Sequence, residues 1–498
     1  MAKLKKGGLF AFLVLIITIF CYFRLKPIIN QTVPYTYDQG RDFLKAQEIV
    51  TQKHLTFIGP TTGIEGVFHG AWWYYFLSMA YLIFNGWPSG YYYWLFFYSL
   101  LSVLSFALFI KKDFGEVFAL LFLLMVSISP YFIVTAFFPG NNMLTPSFIL
   151  LYIFALYRLL MTERREYIFI LGLALGLVFE TEVSFGLFLF PTFIVSVLFF
   201  KQLRLLGKNY KNLLFFFLGA ILPFIPRILF ELKNKFLQTR SFLNFFVHPT
   251  ATNALSLKGS FDYRLQAFIN YFKNVFYNNS SLLAFLGLLV VMAPLLLLIH
   301  KKNFQKQYGL LKFFVLHILI LFFLSLAQKN NFFWGNYFEG IQYFFLFIII
   351  LSLNLLAKAK FKFVPHIAIA LFLILSLYSL IFNVFNTSKI QLSGLALTDS
   401  LVQRVYHQVG HKNFCVRIYT PPVIPFTYNY LFSYYSHQKK MAPPSTNFVN
   451  NQCWYIIEKD VYTFRIDKWR TENIPPKVLL LKKELVGDNI TLELYKKL

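Results

Sequence analysis

Charged side chains crowd one short stretch early in the chain, "PYTYDQGRDF" at residues 34–43. Asp38 and Asp42 flank Arg41 there, shortly after the first apolar run of the sequence. A carboxylate can remove a proton from a hydroxyl group as a new bond forms, and a guanidinium can bind an anionic group. This spacing is therefore compatible with acid–base or anion-binding chemistry just outside the first apolar segment.

A structural role is the alternative for the same two aspartates. The stretch "YDQGRDFLKAQEIVTQKHL" has the pattern of an N-capped amphipathic helix over 41–53, in which both aspartates would lie near the first turn. Capping needs only one aspartate, however. It does not account for Tyr35, Tyr37 and Arg41 beside it.

The other acidic residues of interest are few and grouped. Glu65 and His69 lie in the downstream motif "GPTTGIEGVFHGAWWYY", and Glu180 and Glu182 interrupt the apolar stretch 167–200 in "VFETEVSF". A charged side chain near mid-bilayer costs roughly 2.5–3.5 kcal/mol, so such residues usually face a polar cavity or a partner. The two glutamates lie either in a tight solvated turn between two helices or along a cavity that opens outward.

The composition indicates a membrane protein. Of 498 residues, 57% are hydrophobic and only 14% are charged, against roughly 25% charged in a soluble domain. Apolar runs near twenty residues recur, and each can cross a hydrocarbon core of about 30 Å. The sequence therefore predicts an α-helical polytopic membrane protein with eleven spans: 7–25, 91–110, 115–137, 143–160, 167–180, 184–200, 212–230, 281–299, 309–328, 338–356 and 363–384. The start "MAKLKKGG" lacks a following small-x-small cleavage site, which favours an uncleaved first span over a signal peptide.

Basic loops predict the orientation. The net charge of +26 comes mostly from short loops, so it indicates contact with anionic lipids rather than nucleic acid. Loops such as "RLLMTERREY" and "KQLRLLGKNYK" alternate with loops that carry few basic residues. This positive-inside pattern predicts an integral multi-pass protein of the cytoplasmic membrane, with a cytoplasmic N-terminus and an outer tail. It requires that the aromatic segment 70–84 lies at the interface and does not cross.

Two domains are predicted. Residues 1–385 form the transmembrane domain, whose first outer loop covers 26–90, and residues 386–498 form an extracytoplasmic domain. Alternating apolar patterns such as "CVRIYT" and "CWYIIEKD" predict a small α/β fold for the tail. Cys415 and Cys453 either pair, if the tail is extracytoplasmic, or stay free thiols. With Cys21 they make no metal-binding motif.

The order of these motifs resembles the C-type (GT-C) superfamily of integral membrane glycosyltransferases, above all its protein O-mannosyltransferase-like and lipid A aminoarabinose transferase-like branches. A first span, an outer loop that opens with an Asp and an Arg three residues on, an amphipathic helix and the "WWYYFL" helix follow each other as in that family. The stretches "FFPGNNMLTP", "PFIPRILFELKNKFLQTRSFL" and "NNFFWGNYFEGIQYFF" resemble its second outer loop, the approach to its outer amphipathic helices and its late loop. The resemblance covers about residues 1–385, and the tail is similar to the outer domain of some members.

The resemblance implies transfer of a hexose or pentose from a polyprenyl-phosphate donor to a lipid, glycan or protein acceptor at the outer face, with inversion. Asp38 matches the family's essential first-loop aspartate and is expected to be the general base. The residues expected at the donor phosphate are Arg41, His69, Arg227, Arg264 and Tyr337. Further substrate-binding residues are expected to be Asp42, Glu65, Asn142, Glu180 and Glu182. A lysine is usual near the position of His69, and a neutral histidine would contact phosphate more weakly.

The second outer loop departs from the family pattern, because Asn141 and Asn142 stand where several branches have an acid. The loss of charge weakens the case for a divalent metal, and no cofactor is expected. Glu65 with His69 or Glu182 could still bind a cation. A transporter or flippase of lipid-linked saccharides is the main alternative function, although such proteins usually show internal repeats. A sensor with a glycan-binding tail is a second alternative, but eleven spans exceed what an anchor needs.

Overall fold

The computed structural model of the protein describes residues 6–200, 203, 209–247, 256–297, 305–327, 335, 337–359, 363, 367, 370, 371, 373–375, 377, 378, 394–421, 424–487 and 489–498. The helices before residue 360 are α1 (Lys6–Ile29), α2 (Tyr37–Gln52), α3 (Trp72–Phe84), α4 (Pro88–Phe114), α5 (Glu116–Ile128), α6 (Pro130–Val134), α7 (Thr145–Thr162), α8 (Glu166–Thr181), α9 (Val183–Phe199), α10 (Tyr210–Ile221), α11 (Ile225–Lys233), α12 (Leu237–Val247), α13 (Leu257–Lys273), α14 (Ser281–Leu297), α15 (Gln305–Ser325) and α16 (Ile341–Lys358). Short 3₁₀ turns cover Asn141–Leu144, Leu222–Phe224 and Tyr277–Asn279.

Long apolar helices confirm the membrane class. Within the described residues, 6 helical segments are long and apolar enough to cross a membrane, and α5, α9 and α14 are shorter apolar helices. Every predicted span up to 338–356 overlaps one or two helices of the structure, and the span 167–180 corresponds to α8, which is not one of these nine apolar segments. The last predicted span, 363–384, lies mostly outside the described residues. The number of crossings, eleven, therefore stays a prediction.

Helix α3 corresponds to the segment predicted to lie at the interface. It has 13 residues, which at about 1.5 Å per residue is about 20 Å, less than a hydrocarbon core of about 30 Å. The helix packs against α2 and α4. Its length agrees with a non-crossing helix, and its place at the interface stays a prediction.

The C-terminal region contains the expected α/β fold. Its elements are α17 (Gly394–Val409), β1 (Phe414–Tyr419), α18 (Phe426–Lys439), β2 (Pro444–Ser445), β3 (Gln452–Glu458), α19 (Thr463–Asn473), β4 (Val478–Val486) and β5 (Ile490–Lys497). The sheet order is β2-β1-β3-β5-β4, with parallel pairs around β1 and antiparallel pairs around β5. The predicted boundary at 385/386 lies outside the described residues.

Cys415 and Cys453 are disulfide-bonded, with their Cα atoms 4.5 Å apart. Strands β1 and β3 are parallel neighbours whose register pairs Val416 with Trp454, so the two cysteines come to lie side by side. Of the two alternatives that the sequence left open, the structure has the paired one. Cys21 is free.

The C-terminal domain packs on the first outer loop through α2 and α18. The two helices approach so closely that a Cβ atom on Gly40 would lie 2.4 Å from the backbone nitrogen of Thr427. Phe43 stacks on Tyr91 with ring centroids 3.8 Å apart, and Tyr430 donates its hydroxyl hydrogen bond to the carbonyl of Gly86. The C-terminal domain therefore packs against α2, the helix that carries Asp38, and supports its position.

Candidate active site

Arg41 forms ion pairs with both aspartates of α2. Its Nη1 atom lies 2.9 Å from Asp38 Oδ1, and its Nη2 atom lies 2.8 Å from Asp42 Oδ1. The side chain of Asp38 is 64% exposed, whereas that of Asp42 is 2% exposed. Asp38 is therefore the carboxylate of this pair that a substrate can reach, and Arg41 restrains its position.

Asp42 anchors α2 to the neighbouring helix α3. Its Oδ2 atom accepts a hydrogen bond of 2.7 Å from the indole nitrogen of Trp73. Burial raises the pKa of Asp42 to about 6, although Arg41 and Trp73 act in the opposite direction. Asp42 thus positions the helix, and its side chain is shielded from a substrate.

Helix α2 begins four residues earlier than the sequence pattern predicted, and neither aspartate is its N-cap. Thr36 holds that position, and the Oε1 atom of Gln39 accepts a hydrogen bond of 2.8 Å from the Thr36 backbone N–H. Capping of the helix start therefore rests on Thr36 and Gln39. The N-cap role considered for the aspartates is wrong, whereas Asp38 does lie in the first turn, where its negative charge interacts favourably with the helix dipole.

A hairpin over residues 59–70 carries His69 to the end of α8. The backbone N–H of Gly59 donates to the carbonyl oxygen of His69, and the N–H of His69 donates to that of Pro60. The backbone N–H of Gly70 donates to the carbonyl oxygen of Glu180 at 2.6 Å. A Cβ atom on Gly70 would lie 2.1 Å from Glu180 Oε2. Only glycine fits this contact, so the hairpin and the Glu180 side chain are placed against each other.

Glu180 and Arg227 form a buried ion pair, with 2.6 Å between Glu180 Oε1 and Arg227 Nε. Arg227 Nη1 also donates to Gln238 Oε1 at 2.7 Å. Glu180 Oε2 and Arg227 Nη2 are both buried without a hydrogen-bond partner among the described residues. Each partner of this pair therefore has unused hydrogen-bonding capacity within the described structure.

Close packing of α8 on α10 brings this pair together. A Cβ atom on Gly172 would lie 2.2 Å from the carbonyl oxygen of Phe216, and one on Gly219 would lie 2.2 Å from that of Phe169. Small residues allow helix backbones to approach in this way within a membrane. Because α11 follows α10 after one 3₁₀ turn, the crossing sets where Arg227 meets the end of α8.

His69 is neutral in this environment. Burial, followed by the charges of Arg227 and Arg41, lowers the pKa of His69 to about 3, while a hydrogen bond to the Thr181 backbone acts in the opposite direction. The α2 cluster and the end of α8 both contact the short segment after His69, because Gly70 donates to Glu180 and Trp73 donates to Asp42. A neutral His69 can offer a hydrogen bond to an anion but no charge.

Glu182 lies at a cavity of about 60 Å³ together with His69 and Tyr337. Its carboxylate accepts a hydrogen bond from the backbone N–H of Ser184 at the start of α9. Burial raises the pKa of Glu182 to about 8; the Ser184 hydrogen bond opposes this shift, and the charge of Glu339 adds to it. The side chain is therefore mostly protonated at neutral pH.

A second cavity of about 210 Å³ adjoins the first and is lined by Arg227 and Gln238. Val183 and Phe242 line both cavities, so the two cavities are neighbours that share part of their walls. Arg227 of the ion pair and the neutral acid Glu182 therefore line neighbouring cavities. The expectation that the "VFETEVSF" glutamates line a cavity holds for Glu182, whereas Glu180 lines neither cavity and is held against Arg227. The alternative of a solvated turn is wrong, because both glutamates are buried.

Arg264 approaches the same region from α13. Burial lowers the pKa of Arg264 to about 10, and the guanidinium interacts electrostatically with Tyr271. Burial raises the pKa of the Tyr271 phenol, and the charges of Glu339 and Glu182 add to this shift. Arg264 therefore belongs to the surroundings of the site, although it lines neither cavity.

Glu65 and Asn142 also line neither cavity. Glu65 is exposed on the 59–70 hairpin. Asn142 is buried in the 3₁₀ turn, whereas its neighbour Asn141 donates a hydrogen bond of 2.9 Å to the carbonyl oxygen of Thr181. The second outer loop thus supports the Glu180–Glu182 connection through Asn141.

Sequence reasoning missed three side chains of the site. Trp73 holds Asp42, Gln238 holds Arg227, and Tyr131 donates a hydrogen bond of 2.5 Å to Glu339. Trp73 belongs to a motif that was singled out for its aromatic character, but its N–H partner lies 31 positions earlier. Among the described residues, no group of three or more His, Cys, Asp or Glu is arranged to hold a metal ion. Metal independence stays a prediction.

The arrangement of long apolar helices, a loop with two short helices after α1 and a C-terminal α/β domain is the fold of ArnT, which the resemblance to the GT-C superfamily implied. Two structures of ArnT, a lipid A aminoarabinose transferase, from Cupriavidus metallidurans share it over 98% of this chain and 98% of theirs. The structure bound to undecaprenyl phosphate aligns with a TM-score of 0.58 at 10% identity, and the apo structure with 0.56 at 12%.

An oligosaccharyltransferase of Archaeoglobus fulgidus, in complex with Zn and sulfate, aligns with a TM-score of 0.44 at 12% identity, over 90% of this chain and 68% of that one. This likeness is too distant to support an argument. No protein-family model and no curated protein matches the chain. At these identities the comparison establishes the fold, and the activity has to be argued from the site.

Proposed function

We propose that this protein is a glycosyltransferase that moves a sugar from a polyprenyl-phosphate donor to an acceptor at the outer face of the cytoplasmic membrane. The ArnT-like fold supports the proposal, because one ArnT structure of the same fold holds undecaprenyl phosphate. The positive-inside pattern supports the orientation, with the N-terminus in the cytoplasm and the outer loops and the tail outside. Transfer inverts the anomeric configuration in this proposal.

The observation that carries the proposal is the convergence of reactive groups from distant parts of the chain. Asp38 and Arg41 come from α2, His69 from the hairpin, Glu180 from α8, and Arg227 from α11. His69 and Arg227 line two neighbouring cavities, and Glu180 is paired with Arg227 beside them, whereas Asp38 and Arg41 line neither cavity. Packing alone does not require buried ionisable groups to gather beside empty space.

Asp38 acts as the general base in this mechanism. Its exposed carboxylate accepts the proton of the acceptor hydroxyl while the hydroxyl oxygen attacks the anomeric carbon. The bond from that carbon to the donor phosphate breaks, and the phosphate leaves with the electron pair. Positioned proton removal contributes about 10²–10⁴ in rate.

Arg227 binds the donor phosphate. A guanidinium offers several N–H donors in a planar fork that suits phosphate oxygens, and Arg227 keeps its Nη2 group unpartnered among the described residues. Glu180 holds the Nε side of the same guanidinium, so the phosphate meets a pre-oriented group. Neutral His69 adds a hydrogen bond only.

The test is transfer by the purified protein in lipid nanodiscs, with a panel of radiolabelled polyprenyl-phosphate hexoses and pentoses and with lipid, glycan and peptide acceptors. We expect label to leave one donor and appear on one acceptor class. Arg227→Lys should weaken donor binding, while Arg240→Lys, at an exposed position of α12, should leave it unchanged. Movement of intact lipid-linked sugar across liposome membranes without transfer would instead identify a flippase.

A further inference from the structure

A separate cavity lies between the first outer loop and the C-terminal domain. Its volume is about 200 Å³, and it is bordered by Gln31 and Trp87 on the loop side and by Asp399, Tyr434 and Lys439 on the domain side. Pockets for drug-sized ligands span about 300–1,000 Å³. This cavity is therefore suited to a smaller group, of the size of a single ring.

Backbone contacts hold the two walls together. The N–H of Leu395 donates to the carbonyl oxygen of Val33 at 3.1 Å, and the N–H of Ala396 donates to that of Gln31 at 2.8 Å. Gly394 adopts φ +58°, and a Cβ atom there would lie 2.0 Å from the Val33 carbonyl oxygen. The start of α17 is thus clamped on the segment after α1, which gives the cavity a defined shape.

Asp399 is the central polar group of the cavity. One carboxylate oxygen accepts a hydrogen bond of 2.8 Å from the Tyr435 hydroxyl, and the other accepts one of 2.8 Å from the Gln403 amide. Burial raises the pKa of Asp399 although both hydrogen bonds oppose the shift. A carboxylate has about four acceptor sites, so it can accept further hydrogen bonds from a ligand.

The remaining wall combines aromatic faces with mixed hydrogen-bonding groups. Trp87 is 37% exposed and stacks on Tyr93 with ring centroids 5.6 Å apart, which fixes its orientation. Gln31 supplies both a donor and an acceptor, Tyr434 a hydroxyl, and Lys439 an ammonium group. The lining therefore contains one acidic and one basic side chain, Asp399 and Lys439, and has no net charge. A ligand that fits has one apolar face and a rim of hydroxyl groups, and it carries no net charge. A pyranose ring has these properties.

We infer that this cavity binds one sugar ring of a saccharide, with Trp87 on the apolar face of the ring and Asp399 on its hydroxyl groups. The saccharide comes either from a membrane glycolipid or from a soluble glycan, since both present the same sugar ring.

Helix α18 connects this cavity to the proposed active site. Near its first turn, Phe426 packs on Tyr37 at 4.8 Å between ring centroids, next to Asp38. Tyr434 and Lys439 lie 7 to 12 residues beyond Thr427, or about 10–18 Å at about 1.5 Å per residue. An oligosaccharide of a few rings can span this distance, so the bound ring is an outer unit of the acceptor. This last step, unlike saccharide binding itself, rests on the proposed transferase activity.

Binding can be tested without knowledge of the activity. Full-length protein in nanodiscs would be applied to a printed array of mono- to tetrasaccharides that covers hexoses, hexosamines, pentoses and uronic acids. We expect binding to one class of neutral saccharide. Trp87→Ala and Asp399→Asn should each weaken it about tenfold or more, because each removes a buried or charge-assisted contact. Tyr462→Ala and Glu472→Gln, at exposed positions elsewhere on the domain, are the matched controls.

Each outcome decides the matter. Absence of binding to every array saccharide, or binding that survives both Trp87→Ala and Asp399→Asn in protein whose thermal unfolding is unchanged, would overturn the inference. Displacement of the protein from the array by the soluble saccharide would indicate a soluble glycan as the source. Displacement only by the same sugar on a lipid would indicate a glycolipid. Asp38→Asn should retain binding. If no donor supports transfer but saccharide binding is observed and is lost in Trp87→Ala and Asp399→Asn, the transferase proposal fails and the saccharide site stands. If transfer is observed without saccharide binding, the saccharide site fails and the transferase proposal stands.

Discussion

The two aspartates of α2 have different surroundings although they are one helical turn apart. Asp42 is buried between Arg41 and Trp73, whereas Asp38 reaches solvent and touches only Arg41 among these groups. A general base has to meet its substrate, and a buried carboxylate in an ion pair has to hold its neighbours. The first role fits Asp38 and the second fits Asp42.

Conservative substitutions at the two positions should therefore fail in different ways. Asp38→Asn should lower turnover by about 10²–10⁴, which is about 3–5 kcal/mol of barrier, with little effect on donor affinity or unfolding. Asp42→Asn keeps an acceptor for Trp73 but removes the charge facing Arg41, so it should lower the free energy of unfolding by about 1–3 kcal/mol. Turnover, donor affinity and thermal unfolding would be measured side by side. Mild and equal losses in both variants would contradict the assignment of Asp38 as base.

The protonation of Glu182 predicts a pH dependence of donor binding. With its pKa near 8, the side chain is mostly neutral at pH 7 and gains a negative charge as the pH rises through 8. That charge would repel an anionic donor phosphate in the adjoining cavity, so donor affinity should fall between about pH 7 and 9. Glu182→Gln should abolish this fall, while Glu166→Gln at the far end of α8 should preserve it. If the donor affinity of the Glu182→Gln variant falls between about pH 7 and 9 as it does in the unmodified protein, Glu182 is not the cause of the fall.

Helix α8 and helix α10 provide the framework that carries Glu180 and Arg227. Gly172, Gly176 and Gly219 lie at their contact, where added Cβ atoms would meet backbone carbonyl oxygens at 2.2–2.5 Å. A rigid crossing of this kind fixes the far ends of both helices as well as the contact itself. The Glu180–Arg227 ion pair is thus a consequence of residues about two helical turns away.

Widening this contact should disturb the site at a distance. Gly172→Leu would force α10 away from α8, which should cost about 1–3 kcal/mol of stability and weaken donor binding through a displaced Arg227. Gly309→Leu is the matched control, because an added Cβ there meets no described atom within 4 Å. Donor affinity and thermal unfolding of the two variants would be compared. Equal behaviour of both would show that the crossing does not govern the ion pair.

At the scale of the whole molecule, orientation decides where the chemistry takes place. The disulfide between Cys415 and Cys453 agrees with an outer tail, because disulfides persist mainly in oxidising compartments. The packing of α18 on α2 then requires that the first outer loop lies on the same side as the tail. Both observations support the placement of Asp38 outside the membrane.

Labelling from one side of the membrane can test this topology. Single cysteines at Gln52 and Lys112, both exposed positions, would be introduced into protein that carries Cys21→Ser. If α3 does not cross, Gln52→Cys should react with an impermeant thiol reagent from outside and Lys112→Cys only after permeabilisation. Outside reaction of both would mean that α3 crosses, and would place the later basic loops on the wrong side.

Local patterns in the sequence determined the class of this protein. The length of its apolar runs identified the helices up to 338–356, and alternation in the tail identified an α/β domain, because each pattern depends on neighbours within one element. The family resemblance also gave the GT-C fold, since the order of short motifs along the chain is visible without coordinates. The start of α2 was misplaced because its cap, Thr36 with Gln39, was overlooked.

Only the tertiary structure decided which charged groups meet. Asp38 and Asp42 look equivalent in the sequence, and their difference arises from the packing of α3 against α2. Glu180 and Arg227 are 47 positions apart, and Cys415 and Cys453 are 38 positions apart. Their contacts depend on how close two helices or two strands approach. That distance is set by glycine contacts and by strand register. Both depend on residues far apart in the chain, so the periodic pattern of one helix or strand does not reveal them.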